Sequence, residues 1–559
     1  MSIFSTTTPA AVRRALLAKT EIALLDVRQE SRFATGHPLF AASFPLGHLE
    51  AQAAERLPRR SVPVVVYGDG ADDALAAARR LRELGYTDVR LLDGGLAGWG
   101  ADGGELFQDV NAPSKAFGEL VAEMAGTPSL AAAEVAGLLG DGAAPVVVVD
   151  ARRFEEYATM SIPTATSVPG AELALRVRAL TPDPGTTVVV NCAGRTRSII
   201  GTQSLINAGL PNPVFALRNG TIGWALAGLE LDRGRARRAP AVAPETARQA
   251  EAAAWAVAIR AGVRRVGDDD LRQPDDAERT VYRFDVRPPE EYENGHRPGF
   301  RSAPGGQLVQ ETDWYAPVRG ALIVLADDGA GRAAMTASWL AQMGWDTAVA
   351  DPVADPDAGT GRAGPAAADT VTRPSAPDVA VAGAPDVADW LGAGQAVVVD
   401  VDTSRRFLAG HVPGAAWALR ADLSRPELLD RLNRPGRPDR LVLTSADGYL
   451  AAWAAADLNA AAGPTRVLAL DGGTDAWARS GRPLESGAGE MLSPALDVYR
   501  RPYEGTDIGP AAMQAYLDWE YGLVGQLERD GTHGFWVLTR CAGRAGADPT
   551  TSPAAGSAG

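Results

Sequence analysis

Four times along the chain a mainly apolar run closes on an aspartate: ALLDVR (Asp26, Arg28), VVVVDAR (Asp150, Arg152), YRFDVR (Asp285, Arg287) and VVVDVD (Asp400, Asp402). Such runs lack the spacing of an amphipathic helix and the alternation of a half-exposed strand, and they predict strands buried on both faces of a parallel sheet. An aromatic residue follows each run (Phe33, Tyr157, Tyr292, Phe407), and three copies continue with Gly36-His37, Gly295-His296 and Gly410-His411, where the second has Met160-Ser161. A second apolar run, in PVVVYGDG, TVVVNCAG, ALIVLADD and RLVLTSAD, leads into an amphipathic helical pattern that ends near Gly85, Gly209, Gly344 and Gly463. Three units then close on a turn and a tryptophan (LLDGGLAGW, ALRNGTIGW, ALDGGTDAW), an ending the third unit lacks. The repeat predicts an α/β chain of four tandem units, each a parallel sheet covered by helices on both faces.

The repeat sets the boundaries at residues 1–112, 125–236, 250–352 and 378–486, followed by a mainly helical C-terminal extension over 487–559. RGRARRAPAVAPETAR and DPDAGTGRAGPAAADTVTRPSAP read as linkers, and the last residues, ADPTTSPAAGSAG, as disordered. A length of 559 residues agrees, since one core rarely serves more than about 250 to 300 residues.

A net charge of −15 argues against nucleic acid or an anionic membrane as partner, so an anionic substrate needs local arginines. No run approaches the roughly 20 apolar residues of a membrane span, and the N-terminus lacks a signal-peptide pattern; the expected location is the cytoplasm. With two cysteines, Cys192 and Cys541, the chain has no disulfide framework.

Cys192 stands where a buried strand meets a short loop and a helix. Free N–H groups at a helix start favour a thiolate, and Arg195 and Arg197 add positive charge, so the sequence predicts a nucleophile of lowered pKa. The N–H groups of Ala193, Gly194, Arg195, Thr196, Arg197 and Ser198 are expected to form an anion-binding nest, with Ser198 capping the helix. Cys541, in TRCAGRAG with no helix after it, reads as a tail thiol. His37, His296 and His411 recur once per unit as a fold feature, no metal or cofactor is expected, and Trp99, Trp224 and Trp477 read as core. Asp69, Asp72, Asp73, Asp327 and Asp328 read as solvated surface.

The strand-borne Asp-x-Arg, the Gly-His signature (fullest as GHVPGA from Gly410), the cysteine loop and the Gly-Gly-x-x-x-Trp ending, in that order, resemble the rhodanese, or sulfurtransferase, family. The resemblance covers roughly residues 1 to 485. It implies that Cys192 takes sulfur from a small anionic donor such as thiosulfate, holds it as a persulfide and passes it to a thiol or cyanide acceptor. It further implies that Arg195 and Arg197 bind the donor's oxyanion while Asp150 and Arg152 brace the loop. Counting back from the helix-ending glycines places Gly68, Asp327 and Ala446 at the cysteine position of the other units, leaving the second as the catalytic one. Those units are candidates for docking a partner protein, and a scaffold role stands as the alternative. A phosphatase on the same fold is a further one, although four residues between Cys192 and Arg197 make a tighter loop than the five that wrap a phosphoryl group.

Overall fold

The apolar runs become the central strands of four parallel sheets in the computed structural model, which describes residues 4–142, 145–272, 278–352, 373–432, 438, 440–461, 466–505 and 507–539. In the second module the strands lie in the order Ser129–Leu130, Val214–Leu217, Thr187–Asn191, Val146–Asp150, Thr166–Ser167. Val148, Val149, Val188, Val189 and Val190 are buried because helices cover both faces, which is why these strands show no polar alternation. The other modules repeat this order, and two gain a strand from elsewhere in the chain. Val318–Arg319 pairs antiparallel with the first module's Ile22–Asp26, and Glu490–Met491 extends the fourth sheet beside Ala416–Trp417.

Repeated side-chain bonds explain the repeated letters. Arg152 bonds both oxygens of Asp150 (2.9 and 2.8 Å) and the Met160 carbonyl (2.6 Å). Arg28 and Arg287 likewise join Asp26 to the Gly36 carbonyl and Asp285 to that of Gly295, so Met160 replaces glycine without loss of the acceptor. His37, His296 and His411 stack on Phe33, Tyr292 and Phe407 with ring centroids 3.8 to 3.9 Å apart. The indoles of Trp99, Trp224 and Trp477 are buried and donate to the carbonyls of Glu105, Glu230 and Pro483.

The segments between modules carry structure of their own. A helix, Ala112–Ala125, fills the gap between the first and second modules, and a Cβ at Gly118 would lie 2.9 Å from Thr196 Cγ2. The presumed linker RGRARRAPAVAPETAR ends inside a helix, Pro244–Arg260, because Pro244 suits a first helical turn. The second linker falls mostly, and Cys541 and ADPTTSPAAGSAG wholly, outside the described residues.

From Leu496 onward the extension runs across the modules. Ser31 N–H donates to the Leu496 carbonyl and Ser31 Oγ to that of Val498. Helices Pro510–Tyr521 and Leu523–Asp530 follow, Phe535 packs against Phe40 and Phe117, and Trp536 N–H donates to the Gln342 carbonyl. Among the described residues no helix is long and apolar enough to cross a membrane.

Candidate active site

Cys192 follows the strand Thr187–Asn191, and Asn191 Nδ2 donates to Asp150 Oδ2 at 2.7 Å, so Asp150 holds the stem of the loop while Arg152 holds Asp150. The helix Thr196–Asn207 begins four residues on, with Arg195 at its N-cap. The N–H groups of Thr196, Arg197 and Ser198 belong to a first helical turn and have no acceptor within the helix. Ser198 offers Sγ its N–H and lies with Oγ 3.4 Å from it, while Oγ donates to the Arg195 carbonyl at 2.8 Å. Ser198 is therefore the third residue of the helix, set against the sulfur, and not the cap the sequence suggested.

The loop is supported from behind by the closing helix. Thr221 and Ile222 donate their N–H groups to the Cys192 and Ala193 carbonyls at 2.9 and 3.0 Å. Gly220 has φ +53°, and a Cβ there would stand 2.3 Å from the Cys192 carbonyl oxygen, so this position requires glycine.

Cys192 is only 2% exposed. Burial pushes its thiol up, while Arg197 and Ser198 pull it down; the net is a raised pKa, opposite to the lowering predicted from the loop charges. The reason is the cover over the sulfur together with the pairing of both arginines. Arg195 Nε and Nη2 bond the two oxygens of Glu119 (2.6 and 2.7 Å), and Nη1 bonds Asn219 Oδ1 and the Tyr521 hydroxyl. Arg197 bonds both oxygens of Glu156 at 2.8 Å. Burial alone would raise the Glu156 carboxyl, yet Arg197 holds it well below the usual carboxylate range.

The extension supplies the cover: Tyr503, Tyr516 and Leu517 pack with Ala193 and Ile222. Beside it, a cavity of about 550 Å³ opens between the second module, the fourth and the extension, with Arg152, Arg153, Glu156, Met160, Arg405 and Tyr503 among its lining.

Strand register identifies the counterparts of Cys192. Asp26, Asp150, Asp285 and Asp400 pair with Tyr67, Asn191, Ala326 and Thr444, so the next residues are Gly68, Cys192, Asp327 and Ser445. The fourth counterpart is thus Ser445, not Ala446, because the helix after it has 13 residues against 12 in the second module and shifts a count from its end by one. Thr474 N–H donates to the Ser445 carbonyl as Thr221 does to that of Cys192, and Ser445 Oγ accepts from Ala451 N–H at 3.3 Å.

In the third module Asp327 accepts from the N–H groups of Gly329 and Ala333, both at 2.9 Å. This carboxylate is turned into its own loop, where the sequence predicted solvated surface; it occupies the groups that an incoming anion would need. Arg332 there bonds Glu291 (2.7 Å) as Arg197 bonds Glu156, and also Glu172 (2.8 Å).

Sequence reasoning missed Glu119, Glu156, Tyr503, Tyr516 and Glu520. Glu156 had a signal, since Glu291 stands at the same distance from its own Asp-x-Arg. The others come from segments outside the repeat and had none. Among the described residues no group of three His, Cys, Asp or Glu is placed to hold a metal ion.

A family model described as Rhodanese-like domain matches residues 8–102, 131–227 and 384–480. The crystal structure of thiosulfate sulfurtransferase from Pseudomonas aeruginosa superposes with a TM-score of 0.91 at 55% identity, covering 96% of this chain and 100% of that one. Shorter similarities reach the HTH-type transcriptional regulator Rv0324 of Mycobacterium tuberculosis (34% identical over 113 residues, 20% of this chain) and the uncharacterized protein YqhL of Bacillus subtilis (36% over 77 residues, 14% of this chain). The chain spans 49% and 60% of the lengths of these two curated relatives.

Proposed function

From the premise that this chain belongs to the rhodanese family, we propose that it is a cytoplasmic thiosulfate sulfurtransferase working through a persulfide on Cys192. The supporting observation is a cysteine sulfur at the start of a helix, facing the Ser198 N–H and hydroxyl, in a chain similar from end to end to a thiosulfate sulfurtransferase. The Cys192 thiolate attacks the outer sulfur of thiosulfate. An Sγ–S bond forms, the donor's S–S bond breaks, and sulfite leaves with the electron pair. An acceptor thiolate or cyanide then attacks the outer sulfur and returns the Cys192 thiolate.

The loop N–H groups from Ala193 to Ser198 stabilise the persulfide anion, as donors fixed in place before charge develops. Arg197 acts on the thiolate by its charge while its hydrogen bonds stay with Glu156, and Arg195 anchors the loop to Glu119. Incubation with thiosulfate should add one sulfur atom to the intact mass, removable by cyanide. Cys192→Ser should abolish adduct and turnover together; turnover that survives it would overturn the assignment.

A further inference from the structure

The C-terminal extension brings a carboxyl group onto the cysteine loop. Glu520 is 1% exposed, its Oε1 accepts from the Tyr516 hydroxyl at 2.8 Å, and its Oε2 has no hydrogen-bond partner among the described residues. That oxygen lies 3.0 Å from where a Cβ on Gly194 would stand, with the Tyr516 ring 3.2 Å from the same point. A side chain at Gly194 would crowd both.

The charged groups around Glu520 already have partners. Lys115, on the helix Ala112–Ala125, has its ammonium 3.0 Å from Asp109 and over the rings of Tyr503, Tyr516 and Trp519. Glu119, on the same helix, is paired with Arg195 of the loop. Lys115 and Arg195 are thus taken by Asp109 and Glu119, the neighbouring Arg501 pairs with Glu504, and Glu520 is the carboxyl of this cluster that makes no salt bridge among the described residues. An ionised carboxylate there would face Glu119 and Cys192 across a buried space, whereas a neutral acid has an O–H to give.

We propose that Glu520 is a positioning residue of the persulfide site, whose neutral, hydrogen-donating carboxyl lets a dianionic donor and the persulfide occupy the loop. The extension is then part of the active site and not an appendage. This inference rests on the sulfurtransferase reading for its substrate, though not for the coupling between Glu520 and Cys192. Burial, with opposition from Lys115 and help from Glu119, pushes the Glu520 carboxyl up to about 8, so the neutral form prevails at neutral pH. Its negative charge, once formed, raises the Cys192 thiol further.

Two measurements on the full-length chain test this. In the first, kcat/KM for thiosulfate is followed against pH. The thiolate fraction grows with pH below the raised pKa of Cys192, so wild type should rise and then level into a flat alkaline limb above pH about 8, where loss of the neutral Glu520 offsets that gain; Glu520→Gln, fixed in the neutral form, should lose that limb and go on rising. Tyr516→Phe removes a hydrogen bond that favours the charged form and should move the limb to higher pH. A limb unchanged in both variants overturns the proposal.

The second measurement uses no donor: the ultraviolet absorbance of the Cys192 thiolate, taken as the difference from Cys192→Ser, is titrated in wild type and Glu520→Gln. The midpoint should drop in Glu520→Gln, and an unchanged midpoint overturns the proposal. If the midpoint shifts but thiosulfate is not turned over by wild type, the coupling stands and the sulfurtransferase reading fails.

Discussion

Removing the Arg197 guanidinium should act in two separable ways. Its two 2.8 Å bonds to Glu156 join side chains that are 11% and 22% exposed. At an effective dielectric constant of about 20, unit charges about 4 Å apart attract by about 4 kcal/mol. Discounted for the partial exposure of Glu156, Arg197→Ala should cost about 3 kcal/mol, much of it from the stranded carboxylate. The second effect is on the sulfur, because Arg197 is the first of the influences that lower the Cys192 pKa against its burial. Each unit by which that pKa rises lowers the thiolate fraction about tenfold in the pH range below it.

Arg197→Ala/Glu156→Gln separates the two, since it removes the stranded charge and should recover most of the stability without restoring the thiolate. The assay is alkylation of Cys192 by iodoacetamide, followed by intact mass on a Cys541→Ser background, with thermal unfolding run in parallel. The double variant should alkylate about tenfold more slowly than wild type at pH about 8, and the gap should close as pH rises and both thiols ionise. A double variant with wild-type stability and the wild-type rate at that pH would refute an electrostatic role and leave the pair purely structural, as its recurrence in Arg332–Glu291 of the cysteine-free third module allows.

Other consequences follow from the remaining modules and the loop's support. The carboxyl of Asp400, which has Asp402 in place of the usual arginine, is pushed up to about 7 by burial and the Asp402 charge. Its folded pKa then exceeds the unfolded value of about 3.9, so its contribution is full at acid pH and is lost as pH rises through about 7. Asp400→Asn should leave stability at pH about 4 unchanged and raise it at pH about 8 by up to about 4 kcal/mol, read by thermal unfolding at both pH values. Ser445→Cys in a Cys192→Ser background should place a thiol at the equivalent position yet give no sulfur adduct with thiosulfate, because Asp402 already accepts from the Ala446 N–H and the loop lacks arginine; a persulfide seen by mass would refute this. Gly220→Ala should sharply reduce turnover without changing any charge, since its Cβ would displace the Cys192 carbonyl, and wild-type kinetics would show the loop to be more tolerant than its geometry implies.

The local pattern alone determined the central strands, their parallel pairing, the fourfold repeat and the candidate nucleophile. A strand buried on both faces must be apolar throughout, a residue held at positive φ against another backbone must be glycine, and the chain carries one cysteine between a strand and a helix. These requirements act over a few residues and leave marks in the letters, as Gly220 and Asp150 do. The state of the thiol and the occupation of the two arginines were decided by the tertiary structure. Glu119 comes from a helix between modules, Glu520 and Tyr516 from a segment more than 300 positions from Cys192, and their charges act on the sulfur only because packing removes water between them. Ser445 shows the same division on a smaller scale: a count along the sequence missed it by one residue, while hydrogen-bond register between neighbouring strands fixed it.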